Sequence, residues 1–164
     1  MASFATYLEY FTAMDSIDLK LIALLKKDAK MTVAQLASEL NRSPTPIYER
    51  IKKLEKTGVI RGYTAIIDGV KLGRTLTAFC EVTLKTHEAE HLKAFEAKIL
   101  ELDDVVECHH IAGSFDYLLK ILVSDISHYQ RFVTEKLTSV PYIARLQSAF
   151  ALSEIKGTWS KVVQ

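Results

Sequence analysis

Ser43-Pro44-Thr45-Pro46-Ile47-Tyr48-Glu49-Arg50-Ile51-Lys52-Lys53-Leu54-Glu55 reads as a helix with a marked start and a marked face. Ser43 is a capping residue, and Pro44 takes the first helical position, where the missing N–H would have had no helical partner. Ile47, Ile51 and Leu54 recur at spacings of four and three and form one apolar stripe. Gly58, free to take a left-handed conformation, ends the helix. Thr45, Glu49, Lys52, Lys53 and Lys56 lie opposite the stripe, with Tyr48 and Arg50 flanking it.

Upstream, Thr32 caps a second helix and Gln35 stands three residues on, as in a capping box. Its apolar face is Val33, Leu36, Ala37 and Leu40. Asp15 caps a first helix whose stripe is Ile17, Leu21, Leu24 and Leu25. Only Asn41 and Arg42 separate the second helix from the cap of the third. Two short amphipathic helices so joined form a helix-turn-helix, and the third helix is then the one offered to a major groove. Downstream, two β-rich runs around Gly62, within Val59 to Ile67, predict a small hairpin, a wing. From Asp15 to Gly62 there are ten Lys/Arg against six Asp/Glu, and from Gly69 to Gln164 eleven against twelve. A basic front half fits a polyanion partner; on these residues alone a solvated basic face fits as well.

Asp68 to Arg74, with two glycines, reads as a linker. Leu76, Ala78, Cys80, Val82 and Leu84 alternate with Thr77, Phe79, Glu81 and Thr83, the pattern of a strand with one buried face. Glu88 to Leu102 follows as a helix with Leu92, Phe95 and Ile99 inward. Val105 to Ile111 and Tyr117 to Val123 are strands joined by Gly113-Ser114-Phe115-Asp116. Ser127, with Gln130, is expected to cap the next helix, Pro141 to stop it, and Ile143 to Leu152 to form the last strand. This βαββαβ order is the ferredoxin-like split, with both helices on one face of four strands. The opposite face, with Phe79, invites a second copy of the chain. The fold class is therefore α+β: a winged helix-turn-helix over 15–67, a linker over 68–74 and a ferredoxin-like domain over 75–164.

Other chemistry finds little support. In a strand, Cys108 and His110 face one way and His109 the other, so only two ligands converge where a closed zinc site wants four. Ser114-Phe-Asp lacks the glycine of a nucleophile elbow, and no phosphate-binding glycine loop is present. No catalytic group, metal or cofactor is expected, and an enzyme built on the ferredoxin-like half would need convergent acid and base groups. Two cysteines without a Cys-rich pattern, and no apolar run of membrane-spanning length, point to a reduced cytoplasmic setting without membrane association. Met1 to Ala13 is apolar and aromatic without Lys or Arg, unlike a secretory signal, and is assigned no function; Trp159 has no assigned role either.

Asp15-Ser-Ile-Asp-Leu, then Ser43 to Glu55, then Gly58-Val-Ile-Arg-Gly-Tyr-Thr-Ala resemble the leucine-responsive/asparagine-regulator family (Lrp/AsnC, the feast/famine regulators). The resemblance runs from about Asp15 to the C-terminal strand. It implies a transcriptional regulator binding double-stranded DNA. Ser43, Thr45, Pro46 and Glu49 would approach bases or the groove wall, and Arg50 and Lys53 the phosphates. The family's turn before the third helix often carries glycine where this chain has Asn41, a residue that tolerates left-handed dihedrals.

The loop Gly113-Ser114-Phe115-Asp116-Tyr117 resembles the family's Gly-x-x-Asp-Tyr effector motif. The resemblance implies contact with a small effector, an amino acid in the family's usage, and a carboxylate at Asp116 suits an α-ammonium. The loop also reads as a plain turn in which Asp116 bonds its own backbone. Homodimers, and octamers of them, are the implied assemblies. The alternative reading is a protein-interaction or effector-sensing module without sequence-specific DNA binding.

Overall fold

The computed structural model describes residues 14–155, so Met1 to Ala13 and Trp159 lie outside the described residues. The chain divides into two compact units, with the boundary between Ile66 and Ile67.

The first unit holds three helices: α1 (Ser16–Lys27), α2 (Val33–Glu39) and α3 (Pro44–Lys56). Each starts at the residue whose side chain suits the start. Asp15 accepts from the backbone N–H of Ile17 and Asp18, both at 2.9 Å, while Asp18 accepts from the N–H of Asp15 at 3.2 Å. Thr32 and Gln35 form the same reciprocal box at α2. Between α2 and α3, Asn41 takes φ 51°. That left-handed step lets the chain reverse in two residues, and asparagine accepts it at low cost. The apolar stripes converge on Leu21, Leu36, Ala37, Ile47, Ile51 and Leu54, with Ile60 packed against them.

The hairpin expected over Val59 to Ile67 does not form: the segment carries no strand among the described residues. An isolated two-stranded ribbon is marginal in water. Tyr63 is instead tied back to α3, its hydroxyl donating to Glu55 at 3.1 Å. Tyr63, Ile66 and Ile67 stay exposed.

The second unit opens with a 3-10 turn at Val70–Leu72 and continues β1 (Leu76–Leu84), α4 (Ala89–Leu100), β2 (Val105–His110), β3 (Tyr117–Val123), α5 (Ile126–Arg131) and β4 (Ile143–Phe150). The sheet runs β2-β3-β1-β4, antiparallel throughout. This is the ferredoxin-like order, with the last strand beside the first. Ala78, Cys80, Val82 and Leu84 of β1 join Leu119, Ile121 and Val123 of β3 under Phe95 and Ile99 of α4 and Tyr129 and Phe132 beside them. On the other face Phe79 pairs with Lys120 and Ala149, and Glu81 with Leu118 and Gln147. Phe79 is 38% exposed there, so the sheet's second face is open in the single chain.

Three details depart from the sequence reading. Asp125, not Ser127, caps α5: it sits in extended backbone and accepts from the His128 N–H at 2.8 Å. A carboxylate two residues earlier supplies a stronger, charged acceptor. α5 then widens into a π turn over Phe132–Lys136 and tightens into a 3-10 turn over Leu137–Ser139. Finally Tyr142 takes φ 68°, a left-handed backbone rare for a bulky residue, and its ring stacks on His91 at 3.8 Å.

Candidate nucleic-acid interface and effector loop

The outer face of α3 is built by subtraction. Ile47, Ile51 and Leu54 are consumed by the core. Ser43 has an extended backbone and makes no side-chain bond to the helix it precedes, so its hydroxyl remains available; of the first three helical residues only Thr45 carries an N–H, because Pro44 and Pro46 have none. Thr45, Pro46, Glu49 and Lys53 are exposed. Lys52 is already engaged, 3.0 Å from Glu55 and 5.7 Å above the ring of Tyr48. The Glu55 carboxylate holds the Lys52 ammonium above its ordinary pKa; Lys52, then the Tyr63 hydroxyl, holds Glu55 below its own. Arg42, in the turn ahead of α3, is exposed and donates to the Asn41 carbonyl at 3.1 Å. The sequence reading gave Arg42 no role, although its place beside the helix start was legible.

Arg50 has a different job from the phosphate contact expected of it. Its guanidinium reaches Asp18 at 2.6 Å and Asp15 at 2.7 Å. Asp18 is nearly buried, with 4% of its side chain exposed, while Arg50 keeps 30%. The Asp18 bond first, then the Asp15 bond, holds Arg50 above the ordinary guanidinium range; backbone bonding from Asp18, then Arg50, holds Asp15 below the carboxylate range. The guanidinium fork is therefore spent inside the unit, fastening the middle of α3 to the start of α1. A wheel drawn for one helix shows Arg50 on a flank but not which carboxylates lie across from it.

In the second unit the loop between β2 and β3 closes through the Ile111 N–H on the Asp116 carbonyl, 2.8 Å. Asp116 is the knot of this corner. Its N–H donates to the Val82 carbonyl at 2.9 Å. Its carboxylate accepts from the Leu84 N–H and meets His87 Nε2, both at 2.7 Å. Burial pushes the Asp116 carboxyl up, but the Leu84 N–H and His87 outweigh it and leave the group below its ordinary value.

Gly113 and Ser114 are exposed and Phe115 half-buried. A side chain at Gly113 would meet nothing within 4 Å. Its smallness thus serves no contact in this chain, and the space above it is open. Tyr117 cannot meet an effector: it is 1% exposed, packed between Phe95 and His110, with its hydroxyl donating to Glu96 at 2.9 Å. As the first residue of β3 it points to the helix-covered face, and alternation along the strand fixes that direction. Burial first, then the Glu96 bond, raises its phenol above the ordinary range.

Cys80 is wholly buried on the helix face, as the alternation of β1 predicts, and burial pushes its thiol up. Among the described residues no three His, Cys, Asp or Glu side chains converge as a metal site would need. No helix among them is long and apolar enough to cross a membrane.

Comparison with known proteins gives a consistent picture. Residues 77–159 match the model of the Lrp/AsnC ligand binding domain, and residues 14–61 that of a winged helix-turn-helix DNA-binding domain. The proline dehydrogenase transcriptional activator of Rhizobium radiobacter is 37% identical over 145 residues, covering 88% of this chain and 93% of that protein. The leucine-responsive regulatory protein of Salmonella typhimurium is 34% identical over 151 residues, 92% of each. Among solved structures, a transcriptional regulator from Neisseria meningitidis in complex with L-methionine superposes with a TM-score of 0.85 at 29% identity, over 88% of this chain and 94% of that one. An AsnC family transcriptional regulator from Agrobacterium tumefaciens gives 0.84 at 37%, with the same coverage.

Proposed function

The chain belongs to the Lrp/AsnC family of transcriptional regulators, and from that premise we propose that it is a DNA-binding regulator whose hold on its operator responds to an amino acid. The observation that carries the reading is the state of the outer face of α3. Ser43, Thr45, Pro46, Glu49 and Lys53 are exposed, and their side chains have no hydrogen bond or ion pair among the described residues. These side chains meet the groove, with Lys53 on a phosphate and the start of the helix toward base edges. Arg50 supports them from behind.

The effector meets the corner at Gly113, Ser114 and Phe115, where the chain leaves open space. Asp116 holds that corner in shape and offers its carboxylate through the His87 pair. The Neisseria relative was solved with L-methionine, which supports an amino acid as the effector class. A second copy covers the open sheet face around Phe79, making a homodimer, and dimers associate further into octamers. Effector binding then changes how dimers associate and so how their helices are spaced on DNA. A coupling of about 1–3 kcal/mol suffices to change operator affinity 5- to 150-fold.

The test is a fluorescence-anisotropy titration of the protein onto its own upstream DNA and onto scrambled DNA, at one salt concentration, with and without a mixture of amino acids. Preference for the upstream DNA that shifts with amino acids is the expected result. Preference without a shift removes the effector. Equal binding to both DNAs, repeated with a genomic fragment pool, leaves the chain an interaction module.

A further inference from the structure

The outer face of α3 combines lysines with one carboxylate that no side chain among the described residues engages. Glu55, the helix's other acid, is held by Lys52 and Tyr63. Glu49 is exposed and makes no hydrogen bond or ion pair among the described residues. Lys53 stands one turn on, at the spacing of a favourable helix pair, yet no ion pair joins them. Glu49 lies in the first half of α3, one turn after Thr45, in the part of a recognition helix that reaches base edges.

A carboxylate is a poor choice for a surface that meets phosphates, because it repels them. It is also an acceptor with no donor. In the major groove the donors are the N4 amino group of cytosine and the N6 amino group of adenine. Adenine sets its donor beside the N7 acceptor, an arrangement that suits an amide, which can give and take. Cytosine N4 has no acceptor beside it on the same base and suits a carboxylate.

We infer that Glu49 is a specificity-determining residue that accepts a hydrogen bond from cytosine N4 in each operator half-site. The inference rests on α3 reading DNA as proposed above, and adds which base one position takes and why. Opposite guanine or thymine the Glu49 carboxylate faces acceptors or a methyl group, and opposite adenine a donor flanked by the N7 acceptor, so it penalises wrong registers. Its contribution is to discrimination, at some expense of general affinity. Removing it should therefore move specific and non-specific binding in opposite directions, which loss of a phosphate contact or of the fold cannot do.

The experiment selects duplexes from a randomised pool with the full chain as wild type, E49Q and E49A, at one salt concentration, and titrates each protein onto scrambled DNA. Circular dichroism checks that both variants fold, as expected at an exposed position. Wild type should enrich a motif with an invariant C·G pair in each half. E49Q should turn that position toward adenine, and E49A should level it, from a preference of at least about five-fold to none. The rest of the motif should stay unchanged, and scrambled DNA should bind both variants more tightly. An enriched motif that is identical in all three proteins overturns the inference and leaves the regulator standing. Failure of wild type to enrich any motif overturns both.

Discussion

The Arg50 guanidinium lies 2.6 Å from the carboxylate of Asp18, thirty-two positions earlier in the chain, and this contact ties the third helix to the start of the first. Asp18 is also half of the capping box of α1, so one nearly buried carboxylate caps the start of one helix and anchors another.

Arg50→Ala should therefore act on stability. It leaves a nearly buried carboxylate without its cation, at a cost of roughly 2–3 kcal/mol, below that of a fully buried pair because Arg50 keeps some exposure. Arg50→Lys should recover little of this, since an ammonium cannot span two carboxylates as the planar fork does. The check is chemical denaturation of each variant, with DNA titrations run where the variants remain folded. There the salt slope of Arg50→Lys should equal that of wild type.

Lys53→Ala should show the converse. Its side chain is exposed and has no ion pair among the described residues, so unfolding should be unchanged within about 0.5 kcal/mol. The slope of log Kobs against log salt should fall by about 0.9 for each bound subunit, the effect of one phosphate contact per half-site. An unchanged slope would remove Lys53 from the interface.

Asp116 gives a pH signature. Its carboxyl is held below the ordinary 3.8 in the folded chain, so the stability it contributes is complete above that value and is lost as pH falls through the lower, folded-state value. Asp116→Ala also leaves the Leu84 N–H without its acceptor, at about 1–3 kcal/mol. Urea unfolding of wild type and Asp116→Ala should differ at pH 6, and the difference should shrink as the medium is made acid below 3.8. A constant difference across that range would mean that the carboxylate's charge contributes nothing.

Tyr142 separates backbone strain from packing. Tyr142→Ala removes the stack on His91 while keeping a side chain on the left-handed backbone. Tyr142→Gly removes both the stack and the strain. The glycine variant should be the more stable of the two by about 1 kcal/mol. Thermal melts of the pair, at one protein concentration, decide it.

Much of the fold was legible because it is written locally. Thr32 with Gln35, Ser43 with Pro44 and the alternation of β1 each act within a few residues, and the structure carries them at those positions. Asn41 at φ 51° is the same kind of signal, a residue type chosen for a dihedral angle. What the sequence hid depends on partners distant along the chain. Arg50 looks like any basic residue beside an apolar stripe until Asp15 and Asp18 are seen across from it. Tyr117 follows Asp116 directly, but strand alternation turns its ring into the core while Asp116 stays at the corner. Asp125 and Ser127 are both good caps by type, and only the backbone between β3 and α5 selects one.

The place of β4 has a consequence for synthesis. β1 lies between β3 and β4, and its pairing with β4 runs from Ala78 opposite Phe150 to Leu84 opposite Ile143. The sheet cannot be completed until the final strand has left the ribosome. The three helices share one core drawn from residues between Met14 and Ile60, by contacts short in sequence, and can pack together while the remainder is still being translated. Every new chain thus passes through an interval in which its helical head is formed and its sheet is not. A chain cut short before Ile143 would be held at that stage, with a helical head and no complete sheet.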